Sequence, residues 1–335
     1  MQRGRGLNDH KTTELNLPHH MLTSTEGKKL NTDISGHLRD RKCPICGSDD
    51  GSHVAYPARI DEEKLGEFAF ASRKLPEFMH LRLLNCPTCG VRYASPVLAP
   101  EFLANAYRDA GYDSNDEANY AAATYAGQLD SILPVIGDRG IALEIGAGNG
   151  AFLPHLRRAG FREVIGVEPS HQAAAMADEA IRPLIRIGMF QVGDFAPGSI
   201  SLVSCFQTIE HVDDPRGLCS DAYKLLRPGG AIFLIGHDFD SWVTRLVGER
   251  SPIFDIEHLQ LFSKDSLRYM LTECGFEDIR IGTIRNRYPM SYWMKLLPVP
   301  AAVKRVLIPV SKGLLVGRIP LSLNIGNLYA VGFKR

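Results

Sequence analysis

Four cysteines stand in two matched turns, Arg41-Lys42-Cys43-Pro44-Ile45-Cys46-Gly47 and Asn85-Cys86-Pro87-Thr88-Cys89-Gly90. Each Cys-Pro-x-Cys-Gly turn places two thiolates where their sulfurs converge and backbone N–H groups can point at them. Together Cys43, Cys46, Cys86 and Cys89 supply the four sulfurs that a tetrahedral zinc ion takes. With four protein ligands such a metal has no open position, so its role is structural, and its removal unfolds the module around it. A redox Cys-x-x-Cys is the rival reading, but two matched pairs argue against it, and disulfides would need an oxidising compartment. The other three cysteines, Cys205, Cys219 and Cys274, are single and apolar-flanked, as in a reducing compartment.

A second group of residues has the spacing of a nucleotide-binding loop. Ile141-Ala142-Leu143-Glu144-Ile145 is a short, mostly branched apolar run of the kind that forms a strand buried on both faces. Gly146, Gly148 and Gly150 follow at alternate positions, and 151–158 resumes with helical spacing. Without Cβ atoms, these glycines let the backbone turn sharply and approach a ligand closely. A second apolar run, 163–168, ends in Glu168, and a carboxylate there can accept both hydroxyls of a ribose. The loop and Glu168 therefore point to an adenosine-bearing ligand. Gly146, Gly148 and Ala151 fit the dinucleotide fingerprint loosely, so these residues alone leave NAD open beside other adenosine ligands.

Three histidines are candidate general bases. His211 lies in Gln207-Thr208-Ile209-Glu210-His211-Val212-Asp213-Asp214-Pro215, after an apolar strand that delivers Gln207 to the carboxyl edge of the sheet. His237 follows the strand 231–235, and His258 lies in Glu257-His258-Leu259. Each could take a proton from a hydroxyl acceptor. The alternative for His211 is to cap and orient its loop. Glu257 could orient His258, although adjacent residues on an extended strand face opposite ways.

These elements must be positioned by a parallel sheet. Strands at 141–145, 163–168, 184–187, 200–206 and 231–235 alternate with helical stretches, and 278–281 is expected to pair with 327–333 as a late antiparallel hairpin. Helices are expected over 100–107 and 116–132, in a segment whose tyrosines Tyr107, Tyr112, Tyr120 and Tyr125 precede the glycine loop, and Ser263 reads as the N-cap of another.

Glu144-x-Gly146-x-Gly148-x-Gly150, Glu210-His211-Val212-x-Asp214-Pro215, Leu225-Leu226-Arg227-Pro228-Gly229-Gly230 and the terminal hairpin together resemble the class I S-adenosylmethionine-dependent methyltransferases of the small-molecule type. The resemblance implies an α/β fold: a Rossmann-like, seven-stranded, mostly parallel sheet with an antiparallel last strand, plus a small N-terminal zinc-ribbon-like module. It implies S-adenosyl-L-methionine held by Glu144, Gly146, Ala147, Gly148, Gly150, Glu168, Met189, Phe190 and Gln207. Many relatives carry an acid where Met189 stands, so adenine would here be held by backbone groups and apolar faces. Some quinone-pathway members bind a divalent metal through a Glu at the Gln207 position, which puts that metal in doubt. A four-cysteine module joined to this domain is familiar in enzymes that methylate sugars and other secondary metabolites. The expectation is in-line methyl transfer to a small molecule, such as a nucleotide- or lipid-linked sugar, with a histidine removing the acceptor proton. The alternative is a non-catalytic S-adenosylmethionine-binding regulatory or scaffold protein.

At 335 residues with net charge zero, the chain has room for a flexible leader at 1–40, a zinc module at 41–95 and a methyltransferase domain at 96–335. An insert at 284–326 between the last two strands is basic and aromatic, with Tyr288, Tyr292, Trp293, Lys295, Lys304, Arg305, Lys312 and Arg318. It suits a peripheral membrane surface, an acidic substrate, or a helical cover or dimer contact. The neutral balance disfavours nucleic acid. No apolar run spans a membrane and no signal-peptide core opens the chain, so the cytoplasm is the expected compartment.

Overall fold

The computed structural model describes residues 34–48, 50–61, 78–112, 115–296, 301–313 and 316–335. Most of the expected leader, and 62–77 of the stretch between the cysteine turns, lie outside the described residues. In chain order, the first strands are β1 (Leu38–Arg39), β2 (His53–Tyr56), β3 (Leu83–Asn85), β4 (Arg92–Ala94) and β5 (Val97–Leu98). Helices α1 (Pro100–Asp109), α2 (Asn115–Ala126) and α3 (Leu129–Ile136) follow. Next come β6 (Ile141–Ile145), α4 (Leu153–Arg158), β7 (Glu163–Glu168), α5 (His171–Ala175), β8 (Ile185–Ile187), β9 (Ile200–Phe206), α6 (Pro215–Leu225) and β10 (Leu226–His237). The chain closes with α7 (Trp242–Val247), β11 (Gln260–Leu261), α8 (Lys264–Glu273), β12 (Glu277–Pro289), α9 (Met290–Leu296), α10 (Ala301–Gly313) and β13 (Pro320–Phe333).

Seven strands form the main sheet in the order β12-β13-β10-β9-β6-β7-β8. Parallel pairing runs from β10 through β9, β6 and β7 to β8, while β13 lies antiparallel to both β10 and β12. This is the seven-stranded, mostly parallel sheet expected from the sequence, with its antiparallel last strand.

All seven residues of β9 are buried, because helices cover both faces of the sheet. Its alternate residues enter different cores. Leu202 and Phe206 pack with Ile132, Ile136 and Leu153 on one side, and Val203 and Cys205 pack with Leu218, Leu225 and Met270 on the other. The chain therefore stacks helix, sheet and helix, and the carboxyl ends of β6, β7, β9 and β10 are left open for a site.

The expected insert at 284–326 is shorter in the structure. β12 runs to Pro289 and β13 begins at Pro320, with Asn286 opposite Leu323 and Tyr288 opposite Leu321. Alternation explains the extension: Ile284, Asn286 and Tyr288 are buried, while Arg285 and Arg287 between them are exposed. The connection between the two strands is thus 290–319, carrying α9 and α10.

The cysteine turns belong to a four-stranded sheet of order β11-β4-β3-β2, whose edge strand β11 comes from residues 260–261. The segment 41–95 is therefore joined by backbone pairing to the chain that carries His258. Among the described residues, no helix is long and apolar enough to cross a membrane.

Candidate active site

A cleft of about 970 Å³ opens at the carboxyl ends of the parallel strands. Its floor is the glycine loop. The N–H groups of Gly146 and Ala147 both donate to the Val167 carbonyl, at 2.9 and 3.0 Å, which folds the loop back over β7. Gly146 has φ +74°, and a Cβ there would meet Thr208 Oγ1 at 2.2 Å, so only glycine fits. Glu168 closes the loop: its Oε2 accepts from the Gly148 N–H at 2.7 Å and its Oε1 from the Ser170 N–H at 2.8 Å. Burial pushes the Glu168 carboxyl up, and these backbone hydrogen bonds work against that rise.

Glu144 lies in the same floor, 4% exposed, and its Oε2 has no hydrogen-bond partner. Burial, with the nearby Glu168 adding to it, pushes this carboxyl well above the ordinary carboxylate range. A buried, unpartnered carboxyl oxygen is costly and is satisfied by a donor or cation from a ligand. Met189 and Phe190 line the cleft, with Met189 half exposed at its rim. Gly150 lies just behind the loop, where a Cβ would run into Ile181 at 2.7 Å.

Gln207 holds a left-handed backbone, φ +49°, at the end of β9. Its amide oxygen and nitrogen are both buried without a hydrogen-bond partner. The Tyr125 hydroxyl is near enough to be influenced by that amide, but not in hydrogen-bonding geometry. A strained backbone with an unsatisfied amide in a cleft is the pattern of a ligand contact.

The three histidines converge on the same cleft. The ring centroids of His211 and His258 are 4.8 Å apart, and those of His237 and His258 are 5.0 Å apart. Each ring is held differently. His258 Nδ1–H donates to the Ile253 carbonyl at 2.7 Å, which leaves its Nε2 with the lone pair. His211 Nδ1 is 3.2 Å from the Tyr107 hydroxyl and 3.8 Å from Glu257 Oε2. His237 Nδ1 lies 3.2 Å from Glu210 Oε1, which also accepts the His237 backbone N–H at 2.6 Å. Glu257 and His258 both reach His211 because 256–257 is a turn, not the extended strand that would have separated them.

Electrostatics separates the rings. Burial lowers His258 to about 4, with the His211 and His237 charges adding to the effect. Burial also lowers His211, against the pull of Glu210. Glu210 is fully buried; burial pushes it up, but the His237 hydrogen bond and the surrounding imidazoles more than offset this and bring it to about 2. It is therefore an ionised carboxylate fixed against one histidine.

All three histidines are recognisable as candidates from their sequence context, whereas Glu210, next to His211, gains its role only from the fold. Asn286 also joins the cleft, on the side of β12 shared by the buried residues 284, 286 and 288. Tyr107, Tyr112 and Tyr125 line the cleft, whereas Tyr120 stands outside it, 39% exposed.

The four cysteines form a separate cluster that does not line the cleft. Gly47 N–H donates to the Cys43 carbonyl and Gly90 N–H to the Cys86 carbonyl, at 2.9 and 3.0 Å, so the two turns have matching geometry. Cys43 and Cys89 sulfurs are 3.4 Å apart, Cys46 and Cys86 sulfurs 3.5 Å, and the four lie within 4.8 Å of one another. A tetrahedral ion with sulfur at about 2.3 Å needs sulfurs about 3.8 Å apart, so four sulfurs gathered this closely are a cluster that could hold zinc.

Comparison with known proteins finds similarity to methyltransferases. Residues 117–281 match the family model described as a methyltransferase domain. The ubiquinone biosynthesis O-methyltransferase of Burkholderia vietnamiensis is 30% identical over 130 residues, 36% of this chain and 55% of that protein. The enzyme of the same name from Idiomarina loihiensis is 28% identical over 158 residues, 43% of this chain and 65% of that protein. The chain thus spans between half and two thirds of the length of these relatives. A solved S-adenosylmethionine-dependent methyltransferase of Thermotoga maritima, described as a possible histamine N-methyltransferase, is 19% identical with a TM-score of 0.43, covering 65% of this chain and 91% of that one. By the family match, residues 117–281 are similar to a methyltransferase domain.

Proposed function

We propose that the chain transfers a methyl group from S-adenosyl-L-methionine to a hydroxyl of a small molecule. The observation that carries this reading is Glu144, a buried carboxyl with an unpartnered oxygen under the Gly146–Gly148 turn, in a domain matched to methyltransferases. Glu144 would hold the cationic amino group of the cofactor, and Glu168 the ribose. Met189 and Phe190 would supply apolar faces for the base, and Gln207 a polar contact. The cofactor supplies a methyl already activated on a sulfonium, so the protein's main work is proximity and orientation.

A hydroxyl acceptor must still lose its proton as the new C–O bond forms and the C–S bond breaks. His237 is the base in this reading. Glu210 can only accept, so the Nδ1 of His237 carries the proton and Nε2 keeps the lone pair that takes the acceptor's. A carboxylate against one ring nitrogen also holds the imidazole in the tautomer and orientation that the transfer needs. His211 and His258, lowered by burial, are weaker bases and shape the cleft beside it. The cysteine cluster is read as a structural zinc site, without an open position for chemistry.

Calorimetric titration with S-adenosylhomocysteine and with NAD tests the cofactor, and tritium transfer from labelled S-adenosylmethionine into small-molecule extracts tests the reaction. We expect S-adenosylhomocysteine binding and label in a small product. Tight NAD binding without S-adenosylhomocysteine binding would sink the assignment.

A further inference from the structure

The cleft extends well past the residues assigned to the cofactor. At about 970 Å³ it sits at the upper end of the roughly 300–1,000 Å³ of small-molecule sites, which leaves room for a second ligand. Its far wall is built by β12, α9 and β13. Asn286 on β12 is four places along the sheet from β6, the strand of Glu144, and β10, which bears His237, lies between them. His237 pairs in register with Asn327, and Asn327 with Ile284, so the wall adjoins the proposed base.

Asn286 is 4% exposed and lines the cleft, and its Oδ1 has no hydrogen-bond partner. The register of β12 against β13 shifts between Ile284 and Asn286, an irregularity of the kind that re-aims a side chain beside a site. A buried carbonyl oxygen left open here asks for a donor from a ligand.

Around it stand aromatic rings. Tyr288 and Tyr292 have centroids 4.2 Å apart, and Trp293 lies edge-on to both at 5.4 and 5.3 Å. Trp293 Nε1–H already donates to the Leu321 carbonyl at 3.1 Å, so only its apolar ring remains to offer. Such a wall receives a flat apolar ring.

We propose that this wall is the acceptor subsite and takes an aromatic ring bearing a hydroxyl, with Asn286 Oδ1 accepting a hydrogen bond from a ring hydroxyl other than the one that gives its proton to His237, and Tyr292 packing on the ring's face. This rests on the methyltransferase reading and adds the class of its substrate. Asn286 is then a specificity-determining residue, because a site built to pair a hydroxyl rejects the analogue that lacks it.

The test uses the full chain saturated with S-adenosylhomocysteine and three probes: 2-naphthol, 2-methoxynaphthalene and methyl glucoside. The wild type should bind 2-naphthol about tenfold more tightly than 2-methoxynaphthalene, the discrimination a single buried hydrogen bond gives. Asn286→Leu should cut that preference to about twofold or less, whereas Asn286→Asp, which keeps an acceptor oxygen, should retain it. Both variants should hold S-adenosylhomocysteine as the wild type does, which also reports that they fold. Asn286→Ser serves as the small replacement if the leucine is not accommodated. Tyr292→Ala should weaken both naphthalenes alike. No binding of 2-naphthol, tighter binding of methyl glucoside, or an unchanged preference in the variants would overturn the subsite while leaving the methyltransferase reading intact. Failure of the wild type to bind S-adenosylhomocysteine would overturn both.

Discussion

The Arg41 guanidinium donates to the Asp213 carbonyl at 3.1 Å, joining the residue two before Cys43 to the loop two after His211. The same side chain donates to Leu259 O at 2.6 Å and Ala94 O at 2.9 Å, and burial lowers it to about 10, still charged at neutral pH. Gln260 completes the clamp, donating to Ile209 O and Val212 O at 2.7 and 2.8 Å. The loops bearing His211 and His258 are thus hung from the cysteine module.

Stripping metal should therefore cost activity although no cysteine reaches the cleft. Metal analysis should find about one zinc per chain, and Cys89→Ser should lose both the metal and the module's thermal stability, because binding energy at such sites is folding energy. Arg41→Met should keep the zinc and still lower the turnover rate. Less than about half an equivalent of zinc after gentle purification would contradict the structural assignment.

Glu144→Gln should separate stability from binding. Removing a carboxyl that is buried beside Glu168 relieves an unfavourable burial, so thermal stability should hold or rise. Loss of the partner for a cationic ligand group should weaken S-adenosylhomocysteine by about tenfold, or ~1.5 kcal/mol. Pairing with a cation also drives a proton off Glu144, so wild-type affinity should increase with pH, and the variant should lose that slope. Calorimetry at two pH values reads both.

His237→Ala should lower the methyl-transfer rate by about 10²- to 10⁴-fold while leaving S-adenosylhomocysteine affinity unchanged. Glu210→Gln removes the carboxylate that fixes the His237 ring through Nδ1, so the methyl-transfer rate should fall by about tenfold or more while S-adenosylhomocysteine still binds. An unchanged rate in both variants would mean that His237 is not the base.

His258 should make the fold acid-sensitive. Its ordinary value of 6.5 drops to about 4 in the folded chain, so the unfolded chain binds more protons between those limits. Stability contributed by the neutral buried ring is complete above pH 6.5 and is lost as pH falls toward about 4. Thermal unfolding at pH 7 and pH 5 should show that loss, and His258→Gln, which keeps a donor for Ile253 O, should reduce it.

Much of this protein was legible in local spacing. The Ile141–Ile145 run, the alternate glycines and Glu168 needed only neighbouring residues to declare a strand, a tight turn and a second strand. The two Cys-Pro-x-Cys-Gly turns likewise dictate their own geometry, since Gly47 and Gly90 supply the left-handed backbone each turn requires, at φ +74° and +73°. The capping box at Ser263 and Ser266 was half visible, as a serine before a helical run.

What the sequence by itself determined, then, was the set of elements and the chemical types at their ends. Tertiary structure decided which of those ends meet. Glu210 finds His237 only because β9 and β10 are parallel neighbours, and Arg41 reaches Asp213 across 172 positions. Asn286 shares the buried side of β12 with Ile284 and Tyr288, and that this side meets the cleft depends on where β13 returns. Such contacts depend on strand order and on the direction of side chains across the sheet, which period-two or period-3.6 patterns do not encode.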